Sequence, residues 1–157
     1  MIFENVYLEK LRDIFDNNNK NYVSDETAIQ NIEMLKVVYV QDDIPIGYAV
    51  VYFGKDFIQK EEYNIKIDNM REKTAYIWQI ITKKGYENRG IATEIINYIV
   101  NKYNDYDIYS SIDVTNIPSL KCHEKCGFTR LVKFSKRYDN KFNEFYILKK
   151  TDVKNYN

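Results

Sequence analysis

The sequence has few histidines and cysteines, which build many metal sites and all disulfide frameworks, and it has no long apolar run of the kind that spans a membrane. Its 157 residues include one histidine and two cysteines, too few for the usual zinc ligand sets or a disulfide-stapled fold. No apolar run approaches the roughly 20 residues that cross a bilayer. The first residues also lack the basic and apolar segments of a secretory signal. We therefore expect a cytoplasmic protein with no metal cofactor and no membrane partner.

An excess of either charge sign is missing as well. Lysine plus arginine and aspartate plus glutamate each number 23, so the formal net charge is zero. A protein that binds nucleic acid through broad electrostatics is usually clearly basic, and we therefore expect no nucleic-acid partner. Hydrophobic residues make up 45% of the chain, which is enough for a core. We predict a single domain over residues 1–157.

The two cysteines, Cys122 and Cys126, lie four residues apart with His123 between them. This grouping suggests a metal site, but the spacing is not that of a zinc knuckle and the chain has no second histidine. Two buried or half-buried thiols in a reducing cytosol explain the pair more simply.

Apolar periodicity predicts an alternation of helices and strands. Two amphipathic helices are predicted, around residues 7–15 and 24–35, and no clear strand precedes the first of them. Gly47 lies inside a predicted strand, which indicates a bulge or a close backbone approach. The order of elements predicts a mixed α/β fold with helices covering a central sheet. The other predicted elements are strands at 37–40 and Ile44–Phe53, an irregular segment at 54–73, a strand at Thr74–Thr82, a helix at 90–103, a strand at 107–114, a short helix after Pro118, and strands at 129–138 and 142–150.

One strand–turn–helix segment has the features of an anion site. The strand at Thr74–Thr82, which is apolar on both faces and expected to be buried on both, continues through a turn into a helix that begins near Gly90. The free N–H groups of a helix's first turn and the helix dipole attract anions. Gly90 and Ala92 are small where a phosphate would approach the backbone. Small residues also begin helices for packing reasons, so this pattern alone is weak.

A second segment follows the next strand, and the two segments together resemble the GNAT superfamily of N-acetyltransferases. The first matches the family pattern Gln/Arg-x-x-Gly-x-Gly/Ala over residues 87–92. The hairpin at residues 42–48 also looks like the family's second and third strands, and the resemblance covers roughly residues 24–150. The second segment matches Asn-x-x-Ala/Ser-x-x-x-Tyr-Glu-Lys-x-Gly-Phe at Asn116, Ser119, Glu124, Lys125, Gly127 and Phe128.

The resemblance implies a fold and a reaction. The fold would be the acetyltransferase α/β fold, a mixed and mostly antiparallel sheet with helices on both faces. Its two central parallel strands, here Thr74–Thr82 and 107–114, would splay apart. The donor would be acetyl-CoA, and the acceptor a small-molecule or peptide amine that attacks the thioester directly. A non-catalytic acyl-CoA-binding or regulatory module of the same fold is the alternative.

The resemblance also implies which residues hold the cofactor. The pantetheine arm would pair with backbone around Ile81 and Thr82, and the pyrophosphate would rest on backbone N–H groups of the helix start. Asn116 would contact the pantetheine. The expected cofactor-binding residues are Ile81, Thr82, Glu87, Asn88, Arg89, Gly90, Ile91, Ala92, Thr93, Asn116 and Ser119.

The sequence departs from the family pattern at three points. Glu87 replaces Gln or Arg, so a carboxylate stands beside the expected phosphate, and its side chain is expected to point away. His123 stands where the family has Tyr, and we expect it to give a proton to the departing thiolate. The family's first strand is not identified, so it is absent or the chain is a fragment.

Several features stay open at this stage. Glu61, Glu62 and Asp113 are candidates for a general base, and none is assigned. The acceptor amine, the acyl chain length and the oligomeric state, for which a homodimer is one option, do not follow from the sequence.

Overall fold

A computed structural model describes part of the chain, namely residues 1–5, 14, 34–56, 58, 65–138 and 141–151, with the side chains of 136–138 and 141 excepted. The helix predicted around 7–15 lies outside the described residues except for Ile14, which is helical and fully buried. The helix predicted around 24–35 also lies outside them, apart from Met34 and Leu35. Leu35 begins a strand, so the predicted end of that helix was wrong. Glu61 and Glu62 are not among the described residues either.

The chain divides into two compact units. The first contains Met1–Tyr52 and Ile77–Lys102, and the second contains Phe53–Tyr76 and Tyr103–Asn157. The prediction that residues 1–157 form a single domain stays a prediction. Within the described parts of both units, no helix is long and apolar enough to cross a membrane.

Four strands are hydrogen-bonded in chain order in the first unit: β1 (Ile2–Glu4), β2 (Leu35–Gln41), β3 (Ile44–Phe53) and β4 (Thr74–Thr82), the last from Ile77 onward. The pairs β1/β2 and β2/β3 are antiparallel. The expectation that no strand precedes the first helix was wrong. A strand of three residues is too short to show an alternating pattern, and β1 is recognisable only from its pairing with β2.

The β2–β3 hairpin follows the prediction closely. Asp42 and Asp43 both have positive φ, 51° and 62°, as the tight two-residue hairpin turn requires. The pairing of β2 with β3 shifts register between Tyr39 and Val40, opposite the Gly47 region. A Cβ at Gly47 would lie 2.7 Å from Cγ2 of Ile91. The predicted bulge and close approach are therefore both present.

Helix α1 (Ile91–Lys102) packs on the sheet of the first unit. It buries four isoleucines spaced as an amphipathic helix requires: Ile91, Ile95, Ile96 and Ile99. Its far end is joined to β1, because the Glu4 carboxylate accepts hydrogen bonds from the Tyr98 hydroxyl and the Lys102 ammonium. Nearer its start, burial and then the Glu94 carboxylate raise the pKa of the Tyr39 hydroxyl in β2. These contacts fix the position of α1 within the unit.

The second unit contains the start of β4, then β5 (Asp107–Asp113), β7 (Lys141–Lys150) and β6 (Phe128–Tyr138) as neighbours in that order. The pairs β5/β7 and β6/β7 are antiparallel. Strands β4 and β5 are parallel. The Asp107 N–H bonds to the Lys73 carbonyl at 2.9 Å, and further along both strands the Tyr76 hydroxyl donates to Ser111.

Helix α2 (Ile117–Lys125) connects β5 to β6. Pro118 lies in its first turn, as predicted, and Cys126 is its C-cap. Gly127 follows with φ 93°, the left-handed conformation that commonly ends a helix.

The burial of β4 differs from the prediction. Residues 74–77 are buried, but every residue from Trp78 to Thr82 is only half-buried. Because the apolar residues of β4 do not alternate with polar ones, the sequence predicts a strand that is covered on both faces along its whole length. Instead, the half that leads into the β4–α1 turn keeps apolar surface exposed, including parts of Ile80 and Ile81.

Candidate functional site

The turn between β4 and α1 has an unusual backbone. Gly85, Asn88 and Gly90 all have positive φ, at 96°, 63° and 77°. Left-handed conformations are easy for glycine and tolerable for asparagine. The Tyr86 N–H also bonds to the Lys83 carbonyl at 3.0 Å. The chain is therefore folded tightly on itself just before the helix begins.

Gly90 occupies the N-cap position of α1, since its carbonyl accepts the Glu94 N–H at 3.0 Å. Glycine has no side-chain oxygen, so Gly90 cannot cap the N–H groups of the helix's first turn. A Cβ placed on Gly90 would meet no atom of the described residues within 4 Å. The helix start thus combines N–H groups, the positive end of the helix dipole and open space, which is a suitable arrangement for an anion.

Two charged side chains of the turn contact the turn itself. Both oxygens of the Glu87 carboxylate lie near the Gly85 nitrogen, at 2.9 and 3.1 Å. The Arg89 guanidinium lies 4.9 Å from the centre of the Tyr86 ring, within the range of a cation–π contact. The Glu87 carboxylate therefore accepts a hydrogen bond from the backbone within the turn.

The structure brings the predicted cofactor residues of the first unit together along one continuous segment. Ile81 and Thr82 are half-buried at the end of β4, and Glu87, Asn88, Arg89 and Gly90 are exposed in the turn. In the first turn of α1, Ile91 is buried while Ala92 and Thr93 are half-buried.

The start of α2, in the second unit, is capped by its own chain. The Asn116 side-chain oxygen accepts the Ser119 N–H at 3.3 Å. The Ile117 N–H bonds to the Thr115 carbonyl at 2.9 Å, and Pro118 has no N–H to satisfy. The cap uses only the oxygen of the Asn116 amide, so its Nδ2 hydrogens can serve a ligand.

His123 is held inside the second unit. It exposes 2% of its surface. Its Nδ1 lies 2.9 Å from the Ser119 carbonyl, which can only accept, so Nδ1 carries the hydrogen. In the neutral ring Nε2 then accepts from the Ser110 hydroxyl, also at 2.9 Å. The ring also packs edge-on against Phe128, with centroids 5.2 Å apart.

This environment keeps His123 neutral, because burial lowers its pKa. Ser119 and His123 lie four residues apart on α2, and both ring nitrogens of His123 are engaged within the unit. The role of proton donor stays a prediction. Sequence reasoning missed Ser110, which lies 13 residues before His123 and whose importance no local pattern indicates.

The remaining candidates have local partners. Oδ1 of Asp113 accepts from the N–H and the hydroxyl of Thr115, at 2.8 and 2.7 Å. A hydrogen bond with Cys122, together with burial, raises the pKa of the Cys126 thiol. Among the described residues, no three His, Cys, Asp or Glu side chains group as metal ligands.

Comparison with known proteins decides the family. The model of the acetyltransferase (GNAT) family matches residues 5–128. The chain belongs to the GNAT acetyltransferase family. The resemblance inferred from the two motifs is therefore confirmed, and so is the α/β acetyltransferase fold class. The sequence has no significant match among curated proteins.

Solved structures of GNAT proteins share this fold at low sequence identity. Arabidopsis thaliana NAA60 in complex with acetyl-CoA has a TM-score of 0.72 and 16% identity, covering 95% of this chain and 97% of that one. An IAA acetyltransferase from Bacillus cereus ATCC 14579 has a TM-score of 0.67 and 14% identity, with 95% and 97% covered. The ribosomal-protein-S18-alanine N-acetyltransferase of Escherichia coli has a TM-score of 0.67 and 10% identity, with 99% and 98% covered.

Proposed function

We propose that this GNAT protein binds acetyl-CoA and transfers its acetyl group to a primary amine. The observation that carries the proposal is the start of α1, where a glycine N-cap with positive φ leaves open space beside the helix N–H groups. The bound acetyl-CoA of Arabidopsis thaliana NAA60, a structural neighbour, supports the choice of donor.

The residues of the first unit fit the chemistry of such a donor. We assign the pyrophosphate to backbone N–H groups of residues 87–93, where Gly90 permits close approach. The half-buried end of β4, at Ile81 and Thr82, offers backbone and apolar surface to a pantetheine arm. In the second unit, Asn116 and Ser119 stay proposed contacts, Asn116 through its Nδ2 group. Bound acetyl-CoA supplies an activated acetyl thioester.

The proton chemistry has two candidate sources, a side chain and solvent. An amine must lose a proton before it can attack a thioester, and the leaving thiolate gains from a proton. We propose His123 as a candidate for that donor because it occupies the tyrosine position of the family motif. Its neutral ring, with Nδ1–H on a carbonyl and Nε2 on Ser110, favours solvent as the proton source instead. No residue is assigned as the base.

Binding is tested first by thermal unfolding with CoA and, separately, with pantetheine, which lacks the nucleotide. CoA at about 100 times its dissociation constant should add about 2.7 kcal/mol of stability, and pantetheine should add much less. If neither ligand shifts the unfolding temperature, the proposal fails.

Catalysis is tested by a screen of amine acceptors with acetyl-CoA, read by release of free thiol. We expect at least one primary amine to accelerate thiol release above the rate of simple hydrolysis. Binding of CoA without turnover of any acceptor would favour the non-catalytic module. Cytoplasmic location and oligomeric state stay predictions.

A further inference from the structure

Glu87 is a carboxylate at a position where the family pattern has Gln or Arg. A negative charge close to a pyrophosphate opposes binding by simple Coulomb repulsion. Yet the carboxylate is engaged in the turn, with both oxygens within 3.1 Å of the Gly85 nitrogen. This contact suggests that the residue has a role which offsets its charge.

The turn around Glu87 needs support from some contact. Glu87 lies between Gly85 and Asn88, which have φ of 96° and 63°. Asparagine tolerates this conformation, and glycine gives up many alternative conformations when it is fixed in one. The Glu87 carboxylate accepts the N–H of Gly85, two residues earlier in the chain, and so closes the turn. Gly90 and the start of α1 come three residues after Glu87.

We propose that Glu87 is a positioning residue, whose carboxylate holds the β4–α1 turn in the conformation that presents the N–H groups of α1 to a phosphate. This inference rests on the proposed function, because the phosphate is that of CoA. The benefit of the carboxylate is preorganisation, since a turn already fixed in the free protein loses less freedom when the ligand binds.

Two substitutions separate positioning from charge. Glu87→Ala removes both the hydrogen bond and the charge, whereas Glu87→Gln keeps an acceptor oxygen and removes only the charge. If Glu87 positions the turn, Glu87→Ala should weaken CoA binding about fivefold, the value of one ordinary hydrogen bond. Glu87→Gln should bind CoA at least as tightly as the wild type. If charge alone matters, both variants should bind more tightly.

A control variant removes one negative charge elsewhere. Glu72 lies in the second unit, its side chain is 80% exposed, and its contact is a surface ion pair with Lys55. Glu72→Ala should leave the CoA dissociation constant unchanged when measured by titration calorimetry at the same ionic strength. A Glu72→Ala effect as large as that of Glu87→Ala would overturn the inference.

The turn is also measured without ligand, by hydrogen exchange of the Gly85 amide in the free protein. We expect faster exchange in Glu87→Ala than in the wild type, with Glu87→Gln between them. Equal exchange in all three proteins would overturn the positioning role. A wild type that never binds CoA would sink the proposed function and, with it, any role of Glu87 in CoA binding. A wild type that binds CoA no better than Glu87→Ala does would sink only the role of Glu87.

Discussion

Within the described part of the chain, helices α1 and α2 differ in how the N–H groups of their first turns are treated. Each helix begins with N–H groups that have no partner inside the helix. Helix α2 satisfies them with its own chain, through the Asn116 side chain, the Thr115 carbonyl and the missing N–H of Pro118. Helix α1 begins after Gly90, which has no side chain, and a Cβ placed there would lie more than 4 Å from the atoms that the structure describes.

This difference separates a structural helix start from a binding one. Both belong to family motifs, and each follows a strand through a turn. A helix start that is capped by its own side chain gains little from an anion, whereas a glycine N-cap supplies no side-chain acceptor of its own for the first-turn N–H groups. We therefore assign phosphate binding to α1 and interpret α2 as a self-capped helix that can still contact a ligand through Asn116.

The largest effect is expected from Gly90→Val, which should break the open helix start. The side chain would fill the space beside the N–H groups, and a β-branched residue is strained at φ 77°. We expect CoA binding to weaken by about 100-fold or more, equivalent to about 2.7 kcal/mol, in titration calorimetry.

The matched control is Gly54→Val, in the second unit. Gly54 also has positive φ, 101°, and a Cβ placed on it would likewise meet none of the described atoms within 4 Å. Its backbone strain should therefore lower stability by a similar amount, about 1–2 kcal/mol, without affecting CoA. If both variants bind CoA equally, the anion site does not lie at Gly90.

His123→Phe tests whether the α2 segment is structural or catalytic. The change removes both hydrogen bonds of the ring and takes one hydrogen-bond partner from the buried Ser110 hydroxyl. We expect a loss of about 1–3 kcal/mol in urea unfolding, and the double variant with Ser110→Ala should lose less than the sum of the two. A stable His123→Phe protein whose kcat falls about 100-fold would instead support the proton donor role.

Asn116 sharpens the comparison from the other helix. Asn116→Ala removes the cap of α2 and should lower stability by about 1 kcal/mol. Asn116→Ser restores a capping oxygen but has no amide Nδ2, so it should recover stability. If Asn116→Ser also keeps full CoA affinity, the amide makes no contact with the pantetheine arm.

The smallest effect concerns pH. His123 is the only histidine, and burial lowers its pKa in the folded protein. The unfolded chain therefore binds a proton near pH 6.5 that the folded chain takes up only at lower pH. Stability should be full above that pH and fall as the pH drops toward the folded pKa. Urea unfolding at pH 5.5 and 7.5 should show this slope in the wild type and a smaller one in His123→Phe.

Local signals in the sequence predicted much of the fold. The bounds of β3 and β4 agree with the prediction, because apolar runs, the Asp42-Asp43 turn and the following glycines are all local features. Strand β1 was missed, since three residues carry no period. The half-buried end of β4 was also missed, because burial depends on what packs against a strand and not on its own composition.

The candidate site was predictable to a different degree in its two segments. The role of Gly90 at the start of α1 was suggested by a local motif, in which a glycine without a capping side chain precedes a helix. His123 follows from its alignment to a family position, but its partner Ser110 lies on another element, β5. A contact between separate elements leaves no trace in the spacing of residues, so the burial of the histidine could not be foreseen.

The most direct measurement is a titration of the ¹⁵N-labelled protein followed through its backbone amides. Residues 90–93 should shift on addition of CoA and stay still on addition of pantetheine, because only CoA carries the pyrophosphate. Saturating CoA that binds without moving those amides would contradict the assignment of the phosphate site to the start of α1.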